Sequence, residues 1–173
     1  MDLTNPTLWL FTGSIGAGKT TFCRHLAQAA RSQAWDVAGL LSPAWIEAGQ
    51  KIGILAEDLR SGEQRTLATT APHSQAGLQF GPWYFDQQVL DWGNQVIVKS
   101  FPCDLLIVDE LGPLEFNRQI GLTAAFDILS QRHYRAGCVV IRPSLLAEAQ
   151  IRWPWAQSID ISEVSIQKLL PTF

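Results

Sequence analysis

The sequence predicts an α/β fold: a mostly parallel sheet with helices on both faces and an antiparallel hairpin extension. Three observations carry this. Short continuous apolar runs alternate with helical patterns along most of the chain, as strands buried on both faces do. The first of those runs leads through a glycine-rich segment directly into a helical pattern. In the first third, two strand patterns flank Arg60-Ser61-Gly62-Glu63 with no helix between them, which reads as a hairpin.

Taken in order, Thr7–Thr12 reads as a buried strand. Lys19–Gln33 reads as a helix, with Phe22, Leu26 and Ala29/Ala30 on one face. Trp35–Leu41 is a second apolar run, stopped by Ser42-Pro43, and Ala48-Gly49-Gln50 is a turn signal. Ile52–Asp58 and Gln64–Ala68 form the hairpin. Thr69–Pro82, with two prolines and two glycines among small and polar residues, reads as a surface loop, and Trp83–Phe85 as a short strand. Asp86 has the character of an N-cap for a helix carrying Val89, Trp92 and Val96 on one side. Leu105–Val108 is a buried strand, and Glu115–Tyr134 is the longest helical pattern, stopped by Gly137. Cys138–Ile141 reads as a strand, Ser144 as the cap of a short helix at Leu145–Gln150, and Ala156–Ile161 as the last strand. Glu163–Leu170 allows one or two helical turns before Pro171.

At 173 residues the chain is expected to form one domain with a substantial core. It is 47% hydrophobic and 17% charged, ordinary for a globular protein, and there is no internal repeat. A net charge of −3 gives no electrostatic case for nucleic acid or an anionic membrane as main partner. Cys23, Cys103 and Cys138 are far apart and signal neither zinc nor a disulfide framework, so they read as small buried residues. His25, His73 and His133 show no ligand spacing. Met1–Pro6 carries an acid rather than a basic leader, and no apolar run approaches the roughly 20 residues that span a bilayer. A soluble cytoplasmic protein is the expectation.

The chemistry concentrates in Gly13, Ser14, Ile15, Gly16, Ala17, Gly18, Lys19, Thr20 and Thr21, which spell G-x-x-x-x-G-K-T after a strand and before a helix. This is the pattern of a P-loop, or Walker A motif. Glycines let successive N–H groups face a phosphate, and the following helix aims its positive end at the same anion. Lys19 adds a point charge for the outer phosphates, and the Thr20 hydroxyl is a hard oxygen suited to Mg²⁺. The dinucleotide pattern G-x-G-x-x-G is not met.

A second element has Walker B character: Leu105-Leu106-Ile107-Val108 end in Asp109-Glu110. Asp109 is the expected metal residue with Thr20, and Glu110 the expected general base for an attacking water. An acid pair at this point favours hydrolysis over transfer to another acceptor. In a parallel sheet the ligand sits outside the carboxyl ends of the strands, which puts Gly13–Thr20, Asp109-Glu110 and Arg142 on one rim. Arg142 is therefore the first candidate for stabilising transition-state charge, and Arg118 the second. Glu115 fits two roles, an acid at a helix N-terminus or a second carboxylate lining the site. Trp153-Pro154-Trp155 is a candidate for stacking a base, against the commoner core role of aromatics.

On three stretches the chain resembles the THEP1-type nucleoside-triphosphatase family, small P-loop proteins related to nucleotide kinases. They are Gly13–Thr21, Gly39–Ala68, and Val108-Asp109-Glu110-Leu111-Gly112-Pro113-Leu114-Glu115, with a weaker likeness at Trp83-Tyr84-Phe85-Asp86. Ile15 stands where that family usually has proline, Lys51 where arginine is common, and Arg142 where small or polar residues are more frequent. The resemblance implies a P-loop NTPase fold and Mg²⁺-dependent hydrolysis of ATP, GTP and other nucleoside triphosphates with loose base selectivity. Two other functions stay open: a small-molecule or nucleotide kinase, with Thr69–Pro82 and the region after Arg142 as acceptor site, and a slowly hydrolysing nucleotide switch. No protein-partner signature is present.

Overall fold

The computed structural model of this chain describes residues 5–71 and 77–170. Strand β1 (Thr7–Thr12) is buried from Leu8 onward. Helix α1 (Lys19–Ser32) follows the glycine-rich loop and buries Cys23, Leu26, Ala27 and Ala30, the stripe that a 3.6-residue period places on one face. β2 (Val37–Leu41) is buried at every position and starts two residues later than the apolar run does. Ala34, at φ 61°, and the bond from Trp35 N to Ala30 O first close the end of α1.

The chain then leaves the parallel pattern. β3 (Ala44–Glu47), β4 (Gln50–Asp58), β5 (Gln64–Thr69), β6 (Leu78–Phe80) and β7 (Trp83–Phe85) pair antiparallel, so the expected hairpin is the centre of a larger meander. β6 lies inside the segment expected to be loop; its alternation was too short to read, and it is held by pairing with β7. Residues 72–76 of that segment lie outside the described residues.

Asp86 caps α2 (Gln87–Val98), its Oδ1 accepting from the N–H of Gln88 at 2.8 Å and Val89 at 3.2 Å. β8 (Cys103–Leu111) outruns the expected strand at both ends. The expected long helix at Glu115–Tyr134 is broken into α3 (Pro113–Arg118) and α4 (Ala124–Gln131), and Tyr134 opens the next strand. Gln119 and Arg132, at φ 54° and 58°, end the two helices. The Asn94 side chain of α2 ties the linker by donating to Gly121 O at 2.8 Å and accepting from Ala124 N at 2.9 Å. β9 (Tyr134–Ile141) therefore includes Gly137, which is inside a strand rather than a helix stop. Ser144 sits within a 3₁₀ turn, Pro143–Leu145, and caps nothing with its side chain. α5 (Leu146–Arg152), β10 (Gln157–Asp160) and the single turn α6 (Ile166–Leu169) complete the described chain.

The sheet order is β10-β1-β9-β8-β2-β4-β5-β7-β6, with β3 paired to β4. β10 through β2 are mutually parallel, and β2 to β4 is the antiparallel junction. Alternation along β1 divides the core. Leu8 and Leu10 pack on the side of α2, α4 and α5, while Trp9 and Phe11 pack with Cys23 and Leu26 of α1. The meander is tied to the parallel part by Arg24 of α1, which grips Glu57 of β4 through two bonds of 3.0 and 2.7 Å. That guanidinium holds the Glu57 carboxyl below its usual range.

This order sets the functional edge. β9 lies between β1 and β8, so the carboxyl ends of β1, β9, β8 and β2 stand in a row. Close spacing of β2 and β8 depends on Gly39, at φ 114°, where a Cβ would lie 1.9 Å from the Ile107 carbonyl oxygen. Gly39→Ala is expected to cost about 3 kcal/mol through overpacking and a strained φ. Urea unfolding checks this, and an unchanged midpoint would contradict the close approach.

Candidate active site at the carboxyl ends of the parallel strands

The loop between β1 and α1 needs positive φ at Gly16 (78°) and Gly18 (85°), a conformation that L side chains rarely adopt. Gly18 caps α1 with no side-chain hydrogen bond, so the first amides of the helix, including those of Lys19, Thr20 and Thr21, remain turned toward the loop. Ala17 N donates to Ser14 O at 3.2 Å and closes the turn. Lys19 Nζ reaches back across it to Gly13 O at 2.9 Å and Ser14 O at 2.8 Å, which holds the ammonium over the loop's mouth. The Ile15 side chain is 99% exposed, so this position offers its backbone alone.

Two strands away, β8 carries a bulge. Its register with β9 shifts between Val108 and Leu111, and Glu110 takes φ 70°. A left-handed conformation costs a non-glycine residue about 1–2 kcal/mol, and such strain gathers at functional sites. Its effect here is to send adjacent acids to different places. Asp109 is 2% exposed. Its Oδ2 accepts from Ser42 N at 3.0 Å, and the Thr20 hydroxyl stands beside the carboxylate. Burial pushes Asp109 above the ordinary aspartate range, against the pull of those two donors. Glu110 stays at the surface, where Arg142 Nε at the end of β9 donates to its Oε1 at 2.6 Å. Both partners are half-exposed, so this pair adds only about 0–1 kcal/mol of stability, and it orients Glu110 without anchoring the fold.

The expected residues thus converge: loop, Thr20, Asp109, Glu110 and Arg142 share one edge. Thr20 and Asp109 present a hydroxyl and a buried carboxylate, hard oxygens that suit Mg²⁺. No group of three or more His, Cys, Asp or Glu gathers around a point among the described residues, so a magnesium ion here would draw its other ligands from water and phosphate oxygens.

Other expected residues go elsewhere. Glu115 takes the helix-terminal role. It is 6% exposed, accepting from Gly112 N at 2.9 Å and Leu122 N at 3.0 Å. Arg118 lies over the Phe80 ring. Trp153, offered as a base platform, is fully buried against Phe116 and Phe126 and donates to Ser130 Oγ at 3.1 Å. Trp155 is partly exposed and holds Arg132 over its ring. All three cysteines are buried free thiols, as expected.

Sequence reading missed two neighbours. Ser42 read only as a strand stop, yet its amide fixes Asp109; no residue-type signal marks a backbone donor. Asp160 ends β10 beside the loop, its Oδ1 3.7 Å from where a Cβ on Gly13 would lie. Ser162 holds its carboxyl below the usual range, with the charge of Lys19 adding to that.

A parallel α/β sheet with this loop between its first strand and first helix defines a P-loop protein. The family model described as NTPase matches residues 9–148, and the chain belongs to that family. Among its relatives is the nucleoside-triphosphatase THEP1 of Caldivirga maquilingensis, 25% identical over 123 residues, which are 71% of this chain and 69% of that protein. The protein of the same name from Thermococcus kodakarensis is 27% identical over 124 residues, 68% of this chain and 67% of that one. The fold is shared with a human cancer-related nucleoside triphosphatase solved in solution, at TM-score 0.71 and 21% identity over 96% of this chain and 94% of that one. It is also shared with the crystal structure of THEP1 from Aquifex aeolicus, at TM-score 0.65 and 15% identity over 96% and 97%.

Burial raises the Glu115 carboxyl, so the folded chain keeps that proton to higher pH than the unfolded chain does. The stability it contributes is full below the ordinary value of 4.5 and declines as the pH rises through the raised one. Glu115→Ala is expected to cost about 2–3 kcal/mol at acid pH, by leaving two amides unpaired, and less as the pH rises. Urea midpoints from about pH 5 to pH 8 read this; a cost that grows with pH would contradict it.

Proposed function

We propose that this NTPase-family chain is a Mg²⁺-dependent phosphohydrolase, acting in the cytoplasm, that converts ATP, GTP and other nucleoside triphosphates to the diphosphate and phosphate with loose base selectivity. The supporting observation is the split acid pair. Asp109 is buried against Thr20 at the foot of the loop, and Glu110 is half-exposed at the same edge with Arg142 on its carboxylate. Neither nucleic acid nor a membrane enters this reading, and among the described residues no helix is long and apolar enough to cross a membrane.

Loop amides from Gly13 to Thr21 would bind the phosphate oxygens, with Lys19 supplying charge to the outer phosphates. Thr20 and Asp109 would hold Mg²⁺, which when bound neutralises charge on the β- and γ-phosphates. Glu110 accepts a proton from water and aims it at the γ-phosphorus, as general base. Arg142 is paired with the Glu110 carboxylate, and its guanidinium would offer charge to the transferring group. Water is the acceptor in this reading because the acid pair gives one carboxylate to the metal and leaves the adjacent one to polarise water.

The test is a hydrolysis panel over ATP, GTP, CTP, UTP and deoxynucleotides, with and without Mg²⁺. Phosphate release from several triphosphates without an added acceptor, lost on chelation, is the expected result. Glu110→Gln should keep nucleotide affinity and lose at least about 10²-fold in turnover. Normal turnover in that variant would refute the base assignment.

A further inference from the structure

A cavity of about 300 Å³ opens beside Glu110. No residue of Gly13–Thr21 lines it. One wall belongs to the meander, with Lys51, Phe80, Trp83 and Phe85; the other lining includes Glu110, Arg142 and Glu115, whose two oxygens are taken up by the Gly112 and Leu122 amides. The volume is that of a small-molecule pocket.

Its chemistry is mixed in a particular way. Phe80, Trp83 and Phe85 come from β6 and β7, whose short antiparallel pairing brings Phe80 opposite Trp83. Lys51 Nζ stands 5.0 Å from the centre of the Trp83 ring, so an ammonium and an aromatic face are presented together. Arg142 supplies the second cation, already engaged with Glu110. Planar faces select a ring; two cations flanking them select an anionic group. The second of those cations is the one that orients the proposed base.

We propose that this cavity is a second ligand site for a small organic anion bearing a planar ring, and that its occupant controls hydrolysis through Arg142. The anionic group sits between Lys51 and Arg142, and the ring lies on Trp83. An anion there competes with Glu110 for the guanidinium and resets the direction of the carboxylate. The Arg142–Glu110 pair is half-exposed and weak, so an ordinary ligand contact is enough to redistribute it. The meander thereby acquires a role that the parallel strands do not have: it forms the wall that reads a second molecule. Control of turnover rests on the hydrolase reading; binding does not.

The experiment separates the two. Calorimetric titration of Lys19→Ala, whose P-loop is disabled, uses AMP, GMP and benzoate as probes, and thus distinguishes a nucleotide from a simple aromatic carboxylate. One probe is expected to bind saturably at one site, and Lys51→Ala or Trp83→Leu placed in the same background should each weaken it about tenfold. Lys51 is exposed, so Lys51→Glu serves as a second variant that leaves the core untouched and should abolish binding. In the wild-type chain, saturating probe should change the rate of phosphate release from ATP at least about threefold, in a manner lost with Lys51→Ala, which by itself leaves the unstimulated rate unchanged. No binding by any probe, binding indifferent to Lys51 and Trp83, or binding that leaves phosphate release unaltered would each overturn the proposal. Failure of the wild-type chain to release phosphate from any triphosphate without probe falls on the hydrolase reading instead.

Discussion

The Asp109 carboxylate joins the three elements on which the functional edge depends. It lies near the end of β8, takes a hydrogen bond from the Ser42 amide at the end of β2, and has the Thr20 hydroxyl of the first turn of α1 beside it. A buried carboxylate is costly unless donors surround it. Here the donors are supplied by neighbouring strand ends, so the packing of the parallel sheet and the placement of the phosphate loop are one constraint. The core is split by the sheet into two clusters, and both feed it: the α1 side positions Thr20, while the α2, α4 and α5 side holds β8 and β9 in register.

Beyond Asp109, the bulge converts one sequence position into a division of labour. Without it, alternation along a strand would send neighbouring residues to opposite faces of a continuous ladder. With it, the ladder to β9 is interrupted, Glu110 turns out to solvent at the same edge, and Arg142 at the end of β9 reaches it. In the proposed reaction, the residue that would hold metal and the residue that would handle water can then differ in burial while being adjacent in sequence. The strain at φ 70° is the cost of that separation.

Much of this was legible in the sequence because its signals are local. The loop between strand and helix, the acid pair after four aliphatics, the Arg60–Glu63 hairpin and the Asp86 cap each lie within about ten residues. The misreadings share a non-local cause. Glu115–Tyr134 is apolar at helical spacing, but Glu115 turns back to cap Gly112 and Leu122, and Asn94 from α2 fastens the linker, so two short helices replace one. Tyr134 reads as the last residue of that helix and Gly137 as its stop, yet both lie in a strand whose partners, β1 and β8, are far away in sequence. Trp153 belongs to an aromatic cluster assembled from three separate segments. The partnership of Arg142 with Glu110 spans 32 residues and depends on strand order, although the shared rim could be anticipated.

In the proposed reaction this edge delivers water to the γ-phosphorus of a nucleotide held by the loop. The most direct measurement is a single turnover of ATP with Mg²⁺ in ¹⁸O-enriched water, with mass analysis of the released phosphate. One solvent-derived oxygen is expected in each phosphate, formed with no acceptor present. Phosphate that appears only after a second substrate is added, or that leaves on that substrate without solvent oxygen, would contradict it.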